Sequence, residues 1–376
     1  MITLGLEEEV QVVDADGQLV AHEFSNDAAQ SRSGEGMLDR EIHRCVIELK
    51  TRICADVDGL LAALRSLRAL ARHSAAAQGQ GILIAGIHPT ARWQLQAVHQ
   101  GPDYPHYNRL LDEYQEVARS AFSFGMHIHL GFDFAAPKLA VMNRLRHVLP
   151  ELLALSASSP FHEGADTGLQ SWRHSLLDRY PRMGTPDTWD SEQDYCSHVE
   201  RLRQLGCIGQ DQALWQDVRL HHRYGTLEVR VMDSHPDLDR IGLIATLLKW
   251  EAQTLLHEIR AGREGAVWSR ACIDENKWRA RRHGLRAQWI EWDRDEVCSS
   301  ATHFQRWWQR IAFCASDAAE RNYWERQLAD ALDAGTFADE LRQRVRQDGN
   351  WPDTLQWMVQ RATDEPPMLQ RAGGWQ

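Results

Sequence analysis

The sequence predicts an α+β protein built on one antiparallel sheet, with an apolar face on helices and a polar face that forms the floor of a cavity. Two observations favour this class. Four segments alternate between apolar and polar residues, as strands with one buried face do. Between and after them lie longer segments with leucine at helical spacing. Since the polar side of each strand carries carboxylate, imidazole or guanidinium groups, the cavity is predicted to be a functional site.

The first alternating segment, residues 3–14, carries two carboxylates on one face. In TLGLEEEVQVVD, Glu7 and Glu9 lie opposite the leucines and valines, while Glu8 falls among those apolar residues. Two carboxylates this close repel each other unless they are solvated or share a cation. This strand alone is compatible with a solvated face and with a metal site.

Three later segments, residues 42–51, 124–131 and 226–233, repeat the arrangement. Their polar faces carry, in chain order, Glu48, Lys50, His127, His129, Glu228 and Arg230. Oxygen and nitrogen ligands of this kind suit Mg²⁺ or Mn²⁺, and the basic groups suit a phosphate or a substrate carboxylate. The predicted metal ligands are Glu7, Glu9, Glu48, His127 and Glu228.

The other segments are interpreted in chain order from caps, turns and periodicity. Residues 25–36 are polar and contain glycine, which predicts a mobile loop. Asp217 and Arg219 share one face of a strand-like segment that would pair with the Glu228 strand. Helices are predicted over residues 56–78, 107–120, 138–155, 191–205 and 236–261, and short strands over 82–89 and 215–220. Residues 1–290 are interpreted as a catalytic α+β domain and 291–376 as a helical extension packed on it.

Residues 156–173 form a polar, glycine-bearing segment that is too long for a simple connection. It is compatible with a surface loop. It is equally compatible with a substrate or nucleotide loop in which Arg173 contacts an anion.

Composition limits the function. The 376 residues, 43% of them hydrophobic, suffice for a large core, and the net charge of −11 argues against nucleic acid as a partner. No apolar run approaches the ~18 residues that span a bilayer. Seven cysteines without a C-x-x-C spacing predict reduced thiols in the cytoplasm, and a chain that enters a strand at once leaves no room for a signal peptide. The sequence has no Walker A motif and no nucleophile elbow, so any use of ATP would not involve a P-loop.

The sequence contains seven short motifs in the following order: LGLEEE, VIELKT, GIHP, GMHIHLG, LSASSPF with DTGLQSWR, DVRL with YGTLEVRVMD, and ENKWRARRHGL. In this order they resemble the glutamate–cysteine ligase type 2 family of carboxylate-amine ligases, from residue 3 to about 290 and more loosely beyond. The resemblance implies a glutamine-synthetase-like fold, with an antiparallel sheet curved around the active site and helices on its outer face. It also implies ATP-dependent formation of an amide bond, with Mg²⁺ held by strand carboxylates.

Motif by motif, the resemblance assigns the five predicted ligands to the family's metal positions. It assigns Arg173 and Arg230 to phosphate or substrate contacts, so that they form the expected catalytic set together with Glu228. The expected ATP contacts are Lys50, Arg219 and Arg230. We further expect small amino acid and amine substrates, weak glutamate–cysteine ligase activity, a homodimer, a cytoplasmic location and no membrane partner.

Two positions depart from the family pattern. His162 stands where an aromatic residue is usual, and His221-His222 make their segment more basic than expected. Both would alter the acceptor pocket, which leaves the amine substrate open. Two other functions also remain open. One is a metal-dependent amide hydrolase that uses the same ligands around a water nucleophile. The other is a non-catalytic binding protein, which the intact polar faces disfavour.

Overall fold

The computed structural model describes residues 2–24, 32–133, 135–209, 214–221, 223–263 and 265–363. Its strands are β1 Thr3–Val13, β2 Arg32–Ser33, β3 Gly36–Arg40, β4 Val46–Thr51, β5 Gly81–Leu83, β6 Gly125–Gly131, β7 Phe161–His162, β8 Ala165–Asp166, β9 Val218–His221, β10 Thr226–Asp233, β11 Gln288–Glu291 and β12 Glu296–Ser299. Its α-helices are α1 Val57–Ala76, α2 Pro105–Tyr114, α3 Glu116–Ser120, α4 Lys138–Leu145, α5 Leu149–Ser156, α6 Arg173–Leu177, α7 Glu192–Gln204, α8 Leu238–Arg260, α9 Arg270–His283, α10 Ser300–Ile311, α11 Ala318–Ala334, α12 Phe337–Asp348 and α13 Trp351–Thr363.

One large antiparallel sheet organises the fold, as predicted. Its order is β2-β3-β4-β1-β6-β10-β9, and β5 also pairs with β1. Every pairing in this sheet is antiparallel. The four strands predicted to carry the site, β4, β1, β6 and β10, are consecutive neighbours, so their polar side chains share one face.

The opposite face of the sheet is buried against helices. Its leucine, isoleucine and valine side chains form one core with α1, α4, α5 and α8. The predicted α1 follows its N-cap, Asp56, whose side chain accepts from the Gly59 backbone N–H at 2.8 Å. Its leucines at positions 60, 61, 64 and 67 are all buried, as their spacing indicates.

Several predicted strand bounds were too wide. The segment 42–51 becomes a strand only at Val46, because the main chain of Ile42 and Arg44 bonds instead to residues 97–99. The segment 82–89 is a strand only to Leu83, and 215–220 only from Val218. In each case a neighbouring loop, which alternation cannot reveal, takes over the backbone hydrogen bonds.

Some helices and one loop also differ from prediction. The helix predicted over 107–120 breaks at Gln115, where φ is +49°, and that over 138–155 is interrupted by a 3₁₀ turn, Arg146–Val148. The predicted loop over 25–36 lies in part outside the described residues, and its remainder contains β2 and the start of β3. The extension predicted to be helical over 291–376 begins with the end of a hairpin formed by β11 and β12.

The C-terminal helices pack on the same molecule. Leu355 and Met358 of α13 join a second cluster with Val13 and Leu83 from the sheet edge. The proposed domain division at residue 290 remains a prediction. Among the described helices, none combines the length and apolar character that crossing a bilayer requires.

Candidate active site

Strand register places the predicted ligands side by side. Glu7 of β1 lies opposite His127 of β6, and Glu9 lies opposite Glu48 of β4. On β10, Glu228 lies opposite His129. Because these partners occupy neighbouring strands, residues up to 221 positions apart in sequence form one polar surface.

The predicted ligands form two clusters of side chains, which we call the first and second carboxylate groups. The first contains Glu7, His129 and Glu228. Each offers one ligand atom, and these atoms lie within 4.8 Å of one another. His127 borders the group, with its Nδ1 3.6 Å from Glu7 and 4.0 Å from Glu228. The Nε2 atoms of both histidines are buried without a hydrogen-bond partner in the described structure. The Nε2 of His129 lies 3.6 Å from Glu7, and an unpaired ring nitrogen beside a carboxylate is a group that a divalent cation would satisfy.

The protonation states in this group also suit a metal. Burial would raise the pKa of Glu7, but the close approach of His127 and His129, each with a ring nitrogen 3.6 Å from Glu7, outweighs it and holds that pKa well below its usual value. Burial is likewise outweighed at Glu228, whose pKa is lowered by Arg230 and Arg219. Burial and the nearby Arg230 lower the pKa of His127 to about 3. The carboxylates are therefore anionic and the His127 imidazole neutral, as metal coordination requires.

The second group contains Glu9, Glu48 and Glu41, a residue that the sequence did not single out. Burial raises the pKa of Glu9 to about 7, with Arg173 opposing and Glu48 adding to the shift. Burial and Glu9 raise the pKa of Glu41 to about 7. Burial and Glu41 raise the pKa of Glu48 well above its ordinary value, although Lys50 lies 2.7 Å away. Lys50, Arg173 and Arg230 do not bring these raised pKa values back to the ordinary range, so this crowded group also fits a bound cation.

Arg230 lies at an irregularity of β10. The pairing of β10 with β6 changes register between Val229 and Met232. In that interval the Arg230 backbone N–H donates to the Asp217 carbonyl at 2.7 Å. Bulges of this kind re-aim side chains beside active sites. The Arg230 guanidinium donates to Glu228 and lines the cavity described below.

Arg173 reaches the same surface from the first position of α6. Its Nη1 donates to the Arg230 carbonyl at 3.3 Å. A Cβ on Gly125 would lie 2.2 Å from its Nη2 and 2.9 Å from the Nε2 of His127. Position 125 must therefore be glycine for Arg173 to pass against β6.

The 156–173 loop holds Arg173 through Asp233. This buried carboxylate accepts from the Ser158 backbone at 3.1 Å, from the Ser159 hydroxyl at 2.7 Å and from the Ser171 hydroxyl at 2.9 Å. The serines therefore have a structural role. The loop positions an arginine at the site, and sequence alone could not separate this role from direct substrate contact.

A cavity of about 560 Å³ opens over the second carboxylate group. Its lysine and arginine side chains are Arg40, Lys50, Arg173 and Arg230, and its tyrosine and tryptophan side chains are Tyr104, Tyr107, Tyr180 and Trp215. A second cavity of about 730 Å³ is lined by Glu7, His129 and more apolar residues, and it shares Lys50 with the first. The two carboxylate groups therefore face two adjoining spaces, enough for two substrates.

Some predicted site residues lie elsewhere. Arg219 donates to Glu228 at 2.7 Å and to the Leu214 carbonyl at 2.9 Å, and it is absent from the described lining of both cavities. His162 stacks on Trp172 with ring centroids 5.6 Å apart, also away from the described lining. His221 stacks on Tyr224 and lies 3.8 Å from Glu228, whereas His222 is outside the described residues.

Sequence reasoning missed residues whose role depends on distant contacts. Asp217 was noted beside Arg219 but was not counted as a site residue, and it lines the cavity and forms a buried ion pair with Lys277 of α9. Tyr107 also lines the cavity and donates to the Arg40 carbonyl at 2.7 Å. His129 was noted on the polar face but not counted as a ligand. The pairing of His129 with Glu228 would have identified it as a ligand, but this pairing depends on the strand order, which the sequence does not give.

The curved antiparallel sheet with helices on one face and a polar cavity on the other defines a glutamine-synthetase-like fold. Comparisons with known proteins identify the family. A family model described as glutamate-cysteine ligase family 2 matches residues 3–361, and the chain belongs to this family. A protein of Herpetosiphon aurantiacus named "Putative glutamate--cysteine ligase 2" is 36% identical over 302 residues, which cover 79% of this chain and 77% of the relative. The "Glutamate--cysteine ligase" of Haloferax volcanii is 35% identical over 301 residues, covering 80% of this chain and 83% of the relative.

Solved structures confirm the predicted fold class. A bifunctional glutathione synthetase from Pasteurella multocida matches with a TM-score of 0.70 at 15% identity, over 96% of this chain but 52% of that protein. This chain thus spans about half of the length of the Pasteurella protein. A glutamate–cysteine ligase from Francisella tularensis, solved in complex with AMP, matches with a TM-score of 0.67 at 14% identity, over 99% of this chain and 91% of the other.

Proposed function

We propose that this protein is an ATP-dependent carboxylate-amine ligase that joins glutamate to an amine, with cysteine among the acceptors. The observation that carries this proposal is the sheet face on which Glu7, Glu9, Glu48 and Glu228 lie among Lys50 and Arg230, with Arg173 of α6 reaching the same cavity. Membership of the family supports ligase chemistry. The AMP complex of the Francisella protein supports an adenine nucleotide as one substrate.

The residues that would hold Mg²⁺ fall into the two carboxylate groups. Glu7, Glu228 and the histidines His127 and His129 form one, and Glu9 and Glu48 form the other. The fit rests on the unpaired buried ring nitrogens and on carboxylates that raise one another's pKa. When bound, Mg²⁺ would neutralise phosphate charge and polarise the phosphoryl oxygens.

The proposed reaction has two steps. A carboxylate oxygen of glutamate attacks the γ-phosphorus of ATP, so that the bond to ADP breaks and an acyl phosphate forms. The amine nitrogen then attacks the acyl carbon, phosphate leaves, and the nitrogen loses a proton as the amide forms. Neither step needs a covalent bond to the protein, so the protein contributes position and charge.

The arginines have the geometry for that task. Arg230 is anchored by Glu228 from one side, and Arg173 is anchored to the Arg230 carbonyl, so both guanidinium groups are oriented before substrate arrives. A planar fork of this kind binds a phosphoryl group and a carboxylate together. Lys50, held between Glu48 and Asp39, provides a further positive charge where the two cavities meet.

The test is a phosphate-release assay with ATP, Mg²⁺, glutamate and a panel of amines that includes cysteine, coupled to mass spectrometry of the product. We expect phosphate release that requires both ATP and glutamate, and an amide product with at least one amine. Omission of each component is the control. Cleavage of the same amides without ATP would contradict the proposal and favour the metal-dependent hydrolase.

A further inference from the structure

A third cavity, of about 710 Å³, lies apart from the candidate active site. It shares no lining residue with the two cavities of that site. Its walls come from the 166–170 loop, the start of α8, the end of α9 with the following 3₁₀ turn, and α12. We call it the arginine cavity, because its lining includes Arg240, Arg282, Arg286, Arg342, Arg346 and Arg361.

Carboxylates do not balance these arginines. Asp166, Asp237, Asp339 and Glu340 are the acidic residues of the lining, which leaves a local excess of positive charge in a chain of net charge −11. These carboxylates are also already engaged. Asp166 accepts two hydrogen bonds from Arg342, at 2.8 and 2.9 Å, and Asp237 caps α8.

Several guanidinium groups therefore retain free donors. Arg346 forms no hydrogen bond or ion pair with any described residue, and it lies four positions after Arg342 on the same side of α12. Arg286 is 71% exposed and reaches Asp339 only at 3.5 Å. The Nε of Arg361 is buried without a hydrogen-bond partner in the described structure.

His235 supplies an independent observation. It is only 3% exposed and lines this cavity. Its Nδ1 accepts from the Asp237 backbone N–H at 3.2 Å, so the ring proton resides on Nε2. That Nε2 is buried without a partner among the described residues. Burial and the neighbouring Arg240 lower the pKa of His235 to about 3, so this group remains a neutral N–H donor that lacks an acceptor.

We propose that the arginine cavity binds a small molecule with at least two oxyanion groups, either phosphates or carboxylates. Such a ligand pairs with the guanidinium groups of α9, the following 3₁₀ turn and α12, next to the buried His235 whose Nε2 has no partner among the described residues. Guanidinium forks match both anions in geometry and bind them more strongly than neutral donors do. The cavity shares no lining residue with the two cavities of the candidate active site, so this proposal does not rest on the proposed ligase activity.

The test uses the full chain in a metal-free buffer and isothermal titration calorimetry with inorganic pyrophosphate and, separately, citrate. The test variant is Arg286→Glu with Arg346→Glu. Both side chains are exposed and neither anchors the fold. The matched control is Arg326→Glu, an exposed arginine of α11 outside the cavity. Circular dichroism verifies folding, and Arg346→Ala replaces the double variant if the latter does not fold.

We expect the wild type to bind at least one anion and the double variant to bind it about tenfold more weakly or worse, while Arg326→Glu binds normally. Tighter binding of pyrophosphate would identify a phosphorylated ligand, and tighter binding of citrate a polycarboxylate. The proposal is overturned if neither anion binds at millimolar concentration. It is equally overturned if the double variant binds as the wild type does, or if Arg326→Glu loses as much affinity.

Discussion

Glu8 and Arg68 form a bidentate ion pair in which both side chains are completely buried. The two N–O distances are 2.8 and 2.7 Å. Arg68 also donates to the carbonyls of His235 and Pro236 at 2.7 and 2.8 Å. These bonds join β1 to α1 and to the segment after β10. Because Glu8 lies between Glu7 and Glu9, the pair fixes the strand that presents both candidate ligands.

The first prediction concerns this pair. Glu8→Gln should lower the free energy of unfolding by about 3–5 kcal/mol, because it leaves the buried Arg68 charge without its counter-ion. Urea denaturation of the two proteins measures the change. The double variant Glu8→Leu with Arg68→Met should lose less unfolding free energy than the sum of the losses in Glu8→Leu and in Arg68→Met. A loss below about 1 kcal/mol for Glu8→Gln would show that the pair does not anchor β1.

Glu8 also illustrates what the sequence could and could not predict. Strict alternation placed it among the buried residues of β1, and that is where it lies. Its partner was not predicted. Arg68 follows Leu60, Leu64 and Leu67 on the inner face of α1, so its burial was readable from helical spacing. The choice of Glu8 among the many carboxylates of the chain depends on tertiary packing, which periodicity does not encode.

The candidate site also combines features that the sequence predicts with features that it does not. Alternation within each strand predicted which side chains face the cavity, from Glu7 to Arg230. Glu41 was not identified because it lies just before the segment 42–51, so the alternation of that predicted strand did not include it. Lys277 escaped notice because its partner, Asp217, lies 60 residues away. Contacts between elements close in space but distant in sequence depend on how loops and helices pack, which single-strand patterns cannot show.

The second prediction compares two proposed metal ligands. Glu48→Gln should lower turnover by about 10² or more and weaken Mg²⁺ binding. It should leave thermal stability without metal unchanged or higher, since the raised pKa of Glu48 already favours its neutral form. Glu7→Gln should instead lower metal-free stability, because it disrupts an anion that His127 and His129 hold.

Thermal denaturation with and without Mg²⁺, together with the Mg²⁺ dependence of turnover, measures both variants. Asp112→Asn, a change at an exposed carboxylate of α2, is the control and should behave as the wild type. Full activity of Glu48→Gln at limiting Mg²⁺ would mean that Glu48 is not a ligand.

The third prediction concerns pH. His303 lies between Glu151 and Glu291 and stacks on Trp289 with ring centroids 4.7 Å apart. Burial alone would lower its pKa, but hydrogen bonds to both carboxylates raise that pKa to about 9. A raised pKa stabilises the fold fully below the unfolded value, near 6.5, and the contribution disappears as pH rises through about 9.

We therefore expect the wild type to lose about 3 kcal/mol of unfolding free energy between pH 6.5 and 9 through this group. Urea denaturation across that pH range measures the loss. His303→Gln should flatten the profile, whereas His73→Gln, at an exposed position of α1, should leave it intact. A wild-type profile that stays flat, or one that His303→Gln does not change, would refute the assignment.

The last prediction concerns Arg230, because it separates ligase from hydrolase chemistry. Lysine keeps the positive charge but loses the planar fork, so Arg230→Lys should lower kcat by about 10² to 10³ with little change in ATP binding. Steady-state kinetics at saturating ATP and glutamate measure the change. Arg219→Lys is the matched control, because Arg219 bonds to the same Glu228 but lies outside the described cavity lining. Its kcat should fall by less than about tenfold. Unchanged kcat with a raised KM for the amino acid would assign Arg230 to substrate binding alone, as a hydrolase would use it.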